Sequence, residues 1–231
     1  NNLGMLKSVL DSCLRAGVGH FIYVSSHTVY GPHPDNPIPL PDTAPLRPLP
    51  DFPYGYDKFL SEQVIQEFGE QHQGLKITVL RACVVLGPNA DDPISKAFFR
   101  PVLMGVLDYN PPFQFLYEDD LARVIGVIIG QELPGVFNVA GEGVVFYKEL
   151  ARIIKSKLIN LPAVLAYPFV QLTWDLGIQR DSVASGLDLV RYPIVLDSGR
   201  LRQATGYKFW HTSLETLTSF ANSCLLLKED N

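Results

Sequence analysis

The chain has 231 residues, 47% of them hydrophobic and 19% charged, with a formal net charge of -5. That length and mix suit one large globular domain or a domain with a smaller lobe, and they exclude a mostly disordered chain. An acidic balance without any Lys/Arg run gives no footing for nucleic-acid binding, and no apolar stretch reaches the roughly 18 residues that a membrane span needs.

In chain order, Leu6, Val9, Leu10 and Cys13 fall at helical spacing, so Met5 to Ala16 is expected to form an amphipathic helix ended by Gly17. "HFIYVSS" follows as a buried strand. Residues 31–53 hold nine of the 18 prolines and make a long loop, a length usually reserved for function. A helix from Tyr54 to about Gln71 carries Leu60, Val64 and Phe68 on one stripe, and "KITVLRACVVL" is a second buried strand. Helices alternating with apolar strands imply an α/β fold with a parallel sheet covered on both faces.

"FQFLYEDDLARVIGVIIG" then gives a helical stripe of Leu121, Val124, Ile125, Ile128 and Ile129, with Asp119 or Asp120 as N-cap. "GVFNVAG" is a further strand, and "FYKELARIIKSKL" a further amphipathic helix. The last third is helical and loop-rich, and its final helix opens at "TSLE", where Thr212 and Glu215 have capping-box spacing. Leu214, Leu217, Ala221, Cys224 and Leu225 are expected on the buried face of that helix. The opening "NNLGMLKSVL" has neither the basic start nor the cleavage site of a signal peptide, and the three cysteines show no metal-ligand spacing. A cytoplasmic, disulfide-free protein without a metal is the expectation.

The chemistry centres on "PYGYDKFLSEQ", where Tyr54 and Lys58 stand one helical turn apart and project from one face. Tyr-x-x-x-Lys alone is weak in a chain with ten tyrosines, so context decides. "YVSSHTVYG" ends a strand in paired serines and leads into the long loop. A hydroxyl therefore sits at the carboxyl edge of the sheet, where open α/β sheets bind ligands.

With "AGVGHFIYVSSHTVYG", "PYGYDKFLSEQ", "ITVLRACVVLGP", "FQFLYEDDLARVI" and "GVFNVAGEG" in this order, the chain resembles the extended short-chain dehydrogenase/reductases, the NAD-dependent epimerase/dehydratase family. The resemblance covers most of residues 1–145 and fades beyond. It implies a Rossmann-type parallel sheet from residues 1–87 and 113–142, with a smaller, mainly helical substrate lobe from 88–112 and 143–231. It also implies Ser26, Tyr54 and Lys58 as catalytic residues. Tyr54, Lys58, Ala82, Val84 and Val85 would contact the nicotinamide end of NAD or NADP. The implied partner is a small-molecule substrate, with no nucleic acid and no membrane; a homodimer is left open.

Moving a proton at a secondary alcohol or ketone oxygen suits a phenol whose pKa is brought down. Free tyrosine titrates near 10, so work near neutrality needs a drop of about three units, or about 4 kcal/mol. An ammonium some 4 Å away at an effective dielectric near 20 supplies roughly that much. Ser26 would hold the substrate oxygen, and Lys58 would also reach the nicotinamide ribose. His27, next along the strand from Ser26, is expected on the opposite face. Arg81 is expected to close a structural ion pair.

Two departures from the family pattern matter. No G-x-x-G-x-x-G or G-x-G-x-x-G is present, so the phosphate-binding half of the nucleotide domain is expected to precede the helix with which this chain begins. Asn1 or Asn2 falls near the asparagine the family carries on that helix. "LRACVVLGP" also puts Val84 where nucleotide-sugar enzymes often carry an asparagine near the diphosphate, which points to a ketone or alcohol without phosphate. A nucleotide-sugar epimerase or dehydratase is the alternative, and a non-catalytic dinucleotide sensor or scaffold on the same fold is the rival of another class.

Overall fold

The computed structural model of the protein describes residues 2–88, 90, 100–179 and 183–229. Its main sheet has three parallel strands in the order β1 (His20–Ser26), β2 (Lys76–Ala82) and β7 (Gly135–Val139). Register sets Ser26 beside Ala82 and Ala82 beside Val139, so the three strands end level and present one carboxyl edge. On one face, α1 (Asn2–Arg15) and α2 (Pro53–Gln71) bring Leu10 and Ile65 against Val79. On the other, α3 (Glu118–Gln131) brings Val124 and Ile128 into a core with Leu80, Phe137 and Val139. Val79 and Leu80 therefore bury on opposite faces, which is why β2 reads as a continuous apolar run.

The α1 stripe is narrower than its spacing predicts, because Val9 stays exposed while Leu10 is buried. In α2 the fully buried side chains include Ser61, Glu62 and Ile65, and the expected stripe of Leu60, Val64 and Phe68 is only half-buried. The reason is a buried carboxylate, described below. The expected strand over 76–86 is two strands. Chain direction changes at Cys83, whose amide donates to the Val139 carbonyl at 2.9 Å, and β3 (Val84–Leu86) leaves to pair with β6 (Phe115–Tyr117).

The C-terminal part is mainly helical, with α4 (Tyr147–Ile153), α5 (Ala163–Asp175), α6 (Gly199–Thr205) and α7 (Ser213–Glu229). It also contains strand pairs: β4 (Val102–Val106) runs parallel to β9 (Lys157–Leu161), and β5 (Pro112–Phe113) antiparallel to β8 (Val145–Phe146). The helix expected through "KSKL" stops at Ile153, because Lys155 adopts a left-handed φ of 58° and the next residues enter β9. The expected capping box closes both arms. Glu215 accepts from the Thr212 amide at 2.8 Å, and the Glu215 amide donates to Thr212 Oγ1 at 3.2 Å. Leu217, Phe220 and Ala221 form the buried face of α7, while Leu214 points outward; the Leu225 side chain lies outside the described residues.

Candidate active site

At the level carboxyl edge, a cavity of about 130 Å³ is lined by Ser26, His27, Tyr54, Lys58, Ala82, Val84 and Val85, among others. All six residues singled out from the sequence thus border one space. Tyr54 arrives there because Pro53 opens α2 and Gly55 lets the helix start lie against the short 3₁₀ helix His27–Tyr30. A Cβ on Gly55 would stand 3.1 Å from both Cβ and Oγ1 of Thr28, tighter than side chains normally pack. Gly31 anchors the long loop by a different need. Its φ is 69°, and any Cβ would stand 2.0 Å from the Arg47 carbonyl oxygen.

Ser26 is buried and caps the 3₁₀ helix. Its Oγ accepts from the Thr28 amide at 3.3 Å and from Thr28 Oγ1 at 3.0 Å, which leaves the Ser26 proton for another acceptor. Lys58 extends its ammonium to the Val24 carbonyl at 2.7 Å, and the same nitrogen stands 5.9 Å from the Tyr54 ring centroid. Burial pulls the Lys58 ammonium below its usual range, and the Glu62 charge opposes that pull. Tyr54 is 43% exposed, so its phenol can meet a ligand entering from solvent.

His27 does not alternate away as strand geometry predicts, because the 3₁₀ helix begins at that residue. Its ring lies in the cavity wall, Nδ1 being 3.3 Å from the Ala82 carbonyl, and burial lowers its pKa to about 4. Near neutrality the ring is uncharged. Cys83 borders the same space, and burial pushes its thiol up to about 12, out of reach as a thiolate.

Behind the cavity lies a buried polar network. Arg81 pairs with Glu62 through Nη2 at 2.8 Å and Nε at 3.0 Å, both side chains being nearly inaccessible. Ser25 donates to Glu62 at 2.5 Å, Arg81 donates to the Tyr30 hydroxyl at 2.8 Å, and Tyr30 donates to Asn138 at 2.7 Å. The ion pair expected of Arg81 is therefore present, while Glu62 and Tyr30, which Arg81 bonds, and Ser25, which bonds Glu62, escape sequence reading. These links tie α2 to β1, β2 and β7, and so fix where the helix carrying Tyr54 and Lys58 sits. Ser25 and Ser26 are both buried, and strand alternation, which sends neighbouring side chains to opposite faces, is the signal that sets Ser25 towards Glu62.

Asp120 corrects another expectation. Neither aspartate is the N-cap of α3; that position is Tyr117. Asp120 is wholly buried and accepts from the Tyr207 hydroxyl at 2.5 Å, the amides of Trp210 and His211 at 2.9 and 3.1 Å, and His211 Nδ1 at 3.1 Å. It clamps the 207–211 segment to the helix start. Asn2 donates at 3.0 Å to Asp57 on the Tyr54 helix, and Asn1 lies outside the described residues. Among the described residues no cluster of three His, Cys, Asp or Glu side chains could hold a metal.

Comparison with known proteins bears on the family and the fold. The profile of the NAD dependent epimerase/dehydratase family matches residues 1–140. A UDP-glucose 4-epimerase of Azospirillum brasilense is 29% identical over 125 residues, covering 52% of this chain and 34% of that relative. The chain thus spans about a third of the length of that curated relative. Among solved structures, dTDP-glucose 4,6-dehydratase of Bacillus anthracis in complex with NAD superposes with a TM-score of 0.71 at 13% identity, over 97% of this chain and 67% of that one. UDP-glucose 4-epimerase of Thermus thermophilus in complex with NAD gives a TM-score of 0.69 at 19% identity, over 94% and 68%.

Proposed function

The chain belongs to the NAD dependent epimerase/dehydratase family, and from that premise we propose that it carries the acid-base half of an NAD(P)-dependent oxidoreductase or epimerase acting at a secondary alcohol or ketone carbon. The observation that carries this reading is the convergence of Ser26, Tyr54 and Lys58 on one cavity at the carboxyl edge of a parallel sheet. A cofactor fits there in part. Tyr54, Lys58 and the wall of Ala82, Val84 and Val85 would hold its nicotinamide end, while the sequence contains no glycine-rich turn for a pyrophosphate. Bound NAD or NADP supplies the hydride acceptor or donor that the side chains lack.

In this reading, Tyr54 Oη takes the proton of the substrate hydroxyl, or returns it to a ketone oxygen. Lys58, held by the Val24 carbonyl, keeps a positive charge beside the phenol and favours its ionised form. Ser26 donates its proton to the substrate oxygen and orients it. Neutral His27 and the apolar wall exclude water on the other side. Residues 88–112 and 143–231 would form the substrate lobe over this edge.

The Val84 side chain in the wall offers a diphosphate no hydrogen bond, which favours an apolar ketone or alcohol. The second reading, a nucleotide-sugar epimerase or dehydratase, is favoured by the names of the relatives above. Full-length protein supplied with NAD or NADP separates the two when hydride transfer is followed with hydrophobic secondary alcohols and, in parallel, with UDP-glucose. Turnover of the alcohols alone supports the first reading, and turnover of UDP-glucose the second. Failure with both, alongside unaltered cofactor binding, would favour the non-catalytic alternative.

A further inference from the structure

Helix α5, "AVLAYPFVQLTWD", buries only one of its sides. Ala166, Tyr167 and Val170 pack with Val106 and Leu187, yet Val164 is 79% exposed, Leu165 58% and Leu172 56%. At about 100° per residue, the outward residues Val164, Pro168, Leu172, Leu165, Leu176 and Phe169 sweep an arc of about 140°. Asp175 is the one charged side chain within it. Ile178, 71% exposed, continues the surface past the helix end. Isolated surface leucines need no explanation, but a contiguous apolar face of this width, interrupted by one charge, does.

The edge of this face is basic. A cavity of about 410 Å³ between α5 and the start of β4 is lined by Phe169, Ile178, Val102 and Arg100. Lys157 is the strand partner of Val102, and the neighbouring Ser156 hydroxyl donates to the Arg100 carbonyl at 2.6 Å. Arg100, Lys155 and Lys157 therefore gather, all exposed, beside the apolar arc. Residues 148–179 contain Lys148, Arg152, Lys155 and Lys157 against Glu149 and Asp175, a local balance of +2 in a chain whose total is -5.

We propose that α5 docks this protein on the surface of an anionic lipid bilayer, with the apolar arc at the boundary of headgroups and acyl chains and the basic edge against the headgroups. Thirteen residues of helix reach only about 20 Å, too short to cross a hydrocarbon core of about 30 Å but sufficient to lie in its plane. Phe169, 50% exposed at the margin of the arc, is a side chain suited to that interface. Charge decides between lipid and a second copy of the chain. Two-fold pairing of the face would bring two basic edges together, whereas anionic headgroups neutralise them.

Flotation of the full-length protein with phosphatidylcholine vesicles, with and without 30% phosphatidylserine, tests the proposal. The expected result is recovery with the anionic vesicles at least tenfold above the neutral ones, lost in Phe169→Glu/Leu172→Glu. A second variant, Lys155→Glu/Lys157→Glu, leaves the apolar arc intact and is expected to reduce recovery several-fold while circular dichroism is unchanged. Absence of flotation with either vesicle, or equal flotation with both, would overturn it. So would a dimer in light scattering that Leu172→Glu converts to monomer without any vesicle binding.

Discussion

The ammonium of Lys58 donates a 2.7 Å hydrogen bond to the Val24 carbonyl, two residues before Ser26 on the neighbouring strand. One side chain thus joins the helix that carries Tyr54 to the strand that carries Ser26. It does so while standing 5.9 Å from the Tyr54 ring. Lys58→Met removes both the tether and the charge. If the full-length protein has the proposed activity, its rate profile is expected to move to higher pH, because nothing then favours the ionised phenol. A profile unchanged in position would show that Lys58 serves only as a tether.

Tyr54→Phe leaves the ring and deletes the hydroxyl. Turnover should fall by at least about 100-fold, the lower range of what a positioned acid-base group contributes. Steady-state assay of the purified variant, with its fold checked by circular dichroism, reads this directly, and near-normal turnover would remove Tyr54 from the mechanism.

Arg81→Met strands the Glu62 carboxylate in the interior. Loss of one partner from a buried pair costs about 3–5 kcal/mol, and the midpoint of urea unfolding at pH 7 should drop accordingly. Adding Glu62→Gln to the same chain should recover part of that loss, since the stranded charge is gone. A double variant no more stable than the single would mean that the network matters through its hydrogen bonds and not its charge.

Asp120→Ala removes the acceptor of two part-buried amides, those of Trp210 and His211, and releases Tyr207. At about 1–3 kcal/mol for each unsatisfied group, the melting temperature should fall by several degrees or more, with Asp120→Asn in between. Hydrogen exchange at 207–211 should rise before that of α3.

His27 gives a pH dependence with a definite sign. Its folded pKa of about 4 lies below the ordinary 6.5, so the unfolded chain binds the extra proton first as pH falls. The stability it supports is intact above about pH 6.5 and lost progressively towards pH 4, by at most about 3 kcal/mol. Comparing urea midpoints at pH 7 and pH 4.5, the wild type should lose more than His27→Gln, and equal losses would exclude this histidine as the source.

The strands over 20–26 and 135–139, the helix starting at Pro53 and the Thr212–Glu215 cap were legible because each depends on neighbours in sequence. The Tyr54–Lys58 pairing was legible for the same reason. What escaped depends on distant partners. Glu62 reads as a solvated helix glutamate until Arg81 and Ser25 fold over it, and Asp120 reads as a cap until residues some ninety positions away bond to it. Cys83 breaks an apolar run that has no sequence mark of a break, because the change of partner strand is decided by Val139 and Phe115. The outward face of α5 is not legible for a related reason: Pro162, Pro168 and Gln171 interrupt the apolar run from Leu161 to Leu172, and which side is covered is set by the distant Val106 and Leu187.

Gly55 contains no reacting atom, yet the space between it and Thr28 decides where the tyrosine beside it points. A saturation scan scored on activity should therefore mark Gly55 as intolerant as Tyr54 itself, while a scan scored on abundance should be far more lenient there. Among relatives the two positions should trade volume, a larger residue at one requiring a smaller at the other. Suppressors of Gly55→Ala should accordingly arise at Thr28 as alanine, which removes the Oγ1 contact, and not as serine, which keeps both Cβ and Oγ.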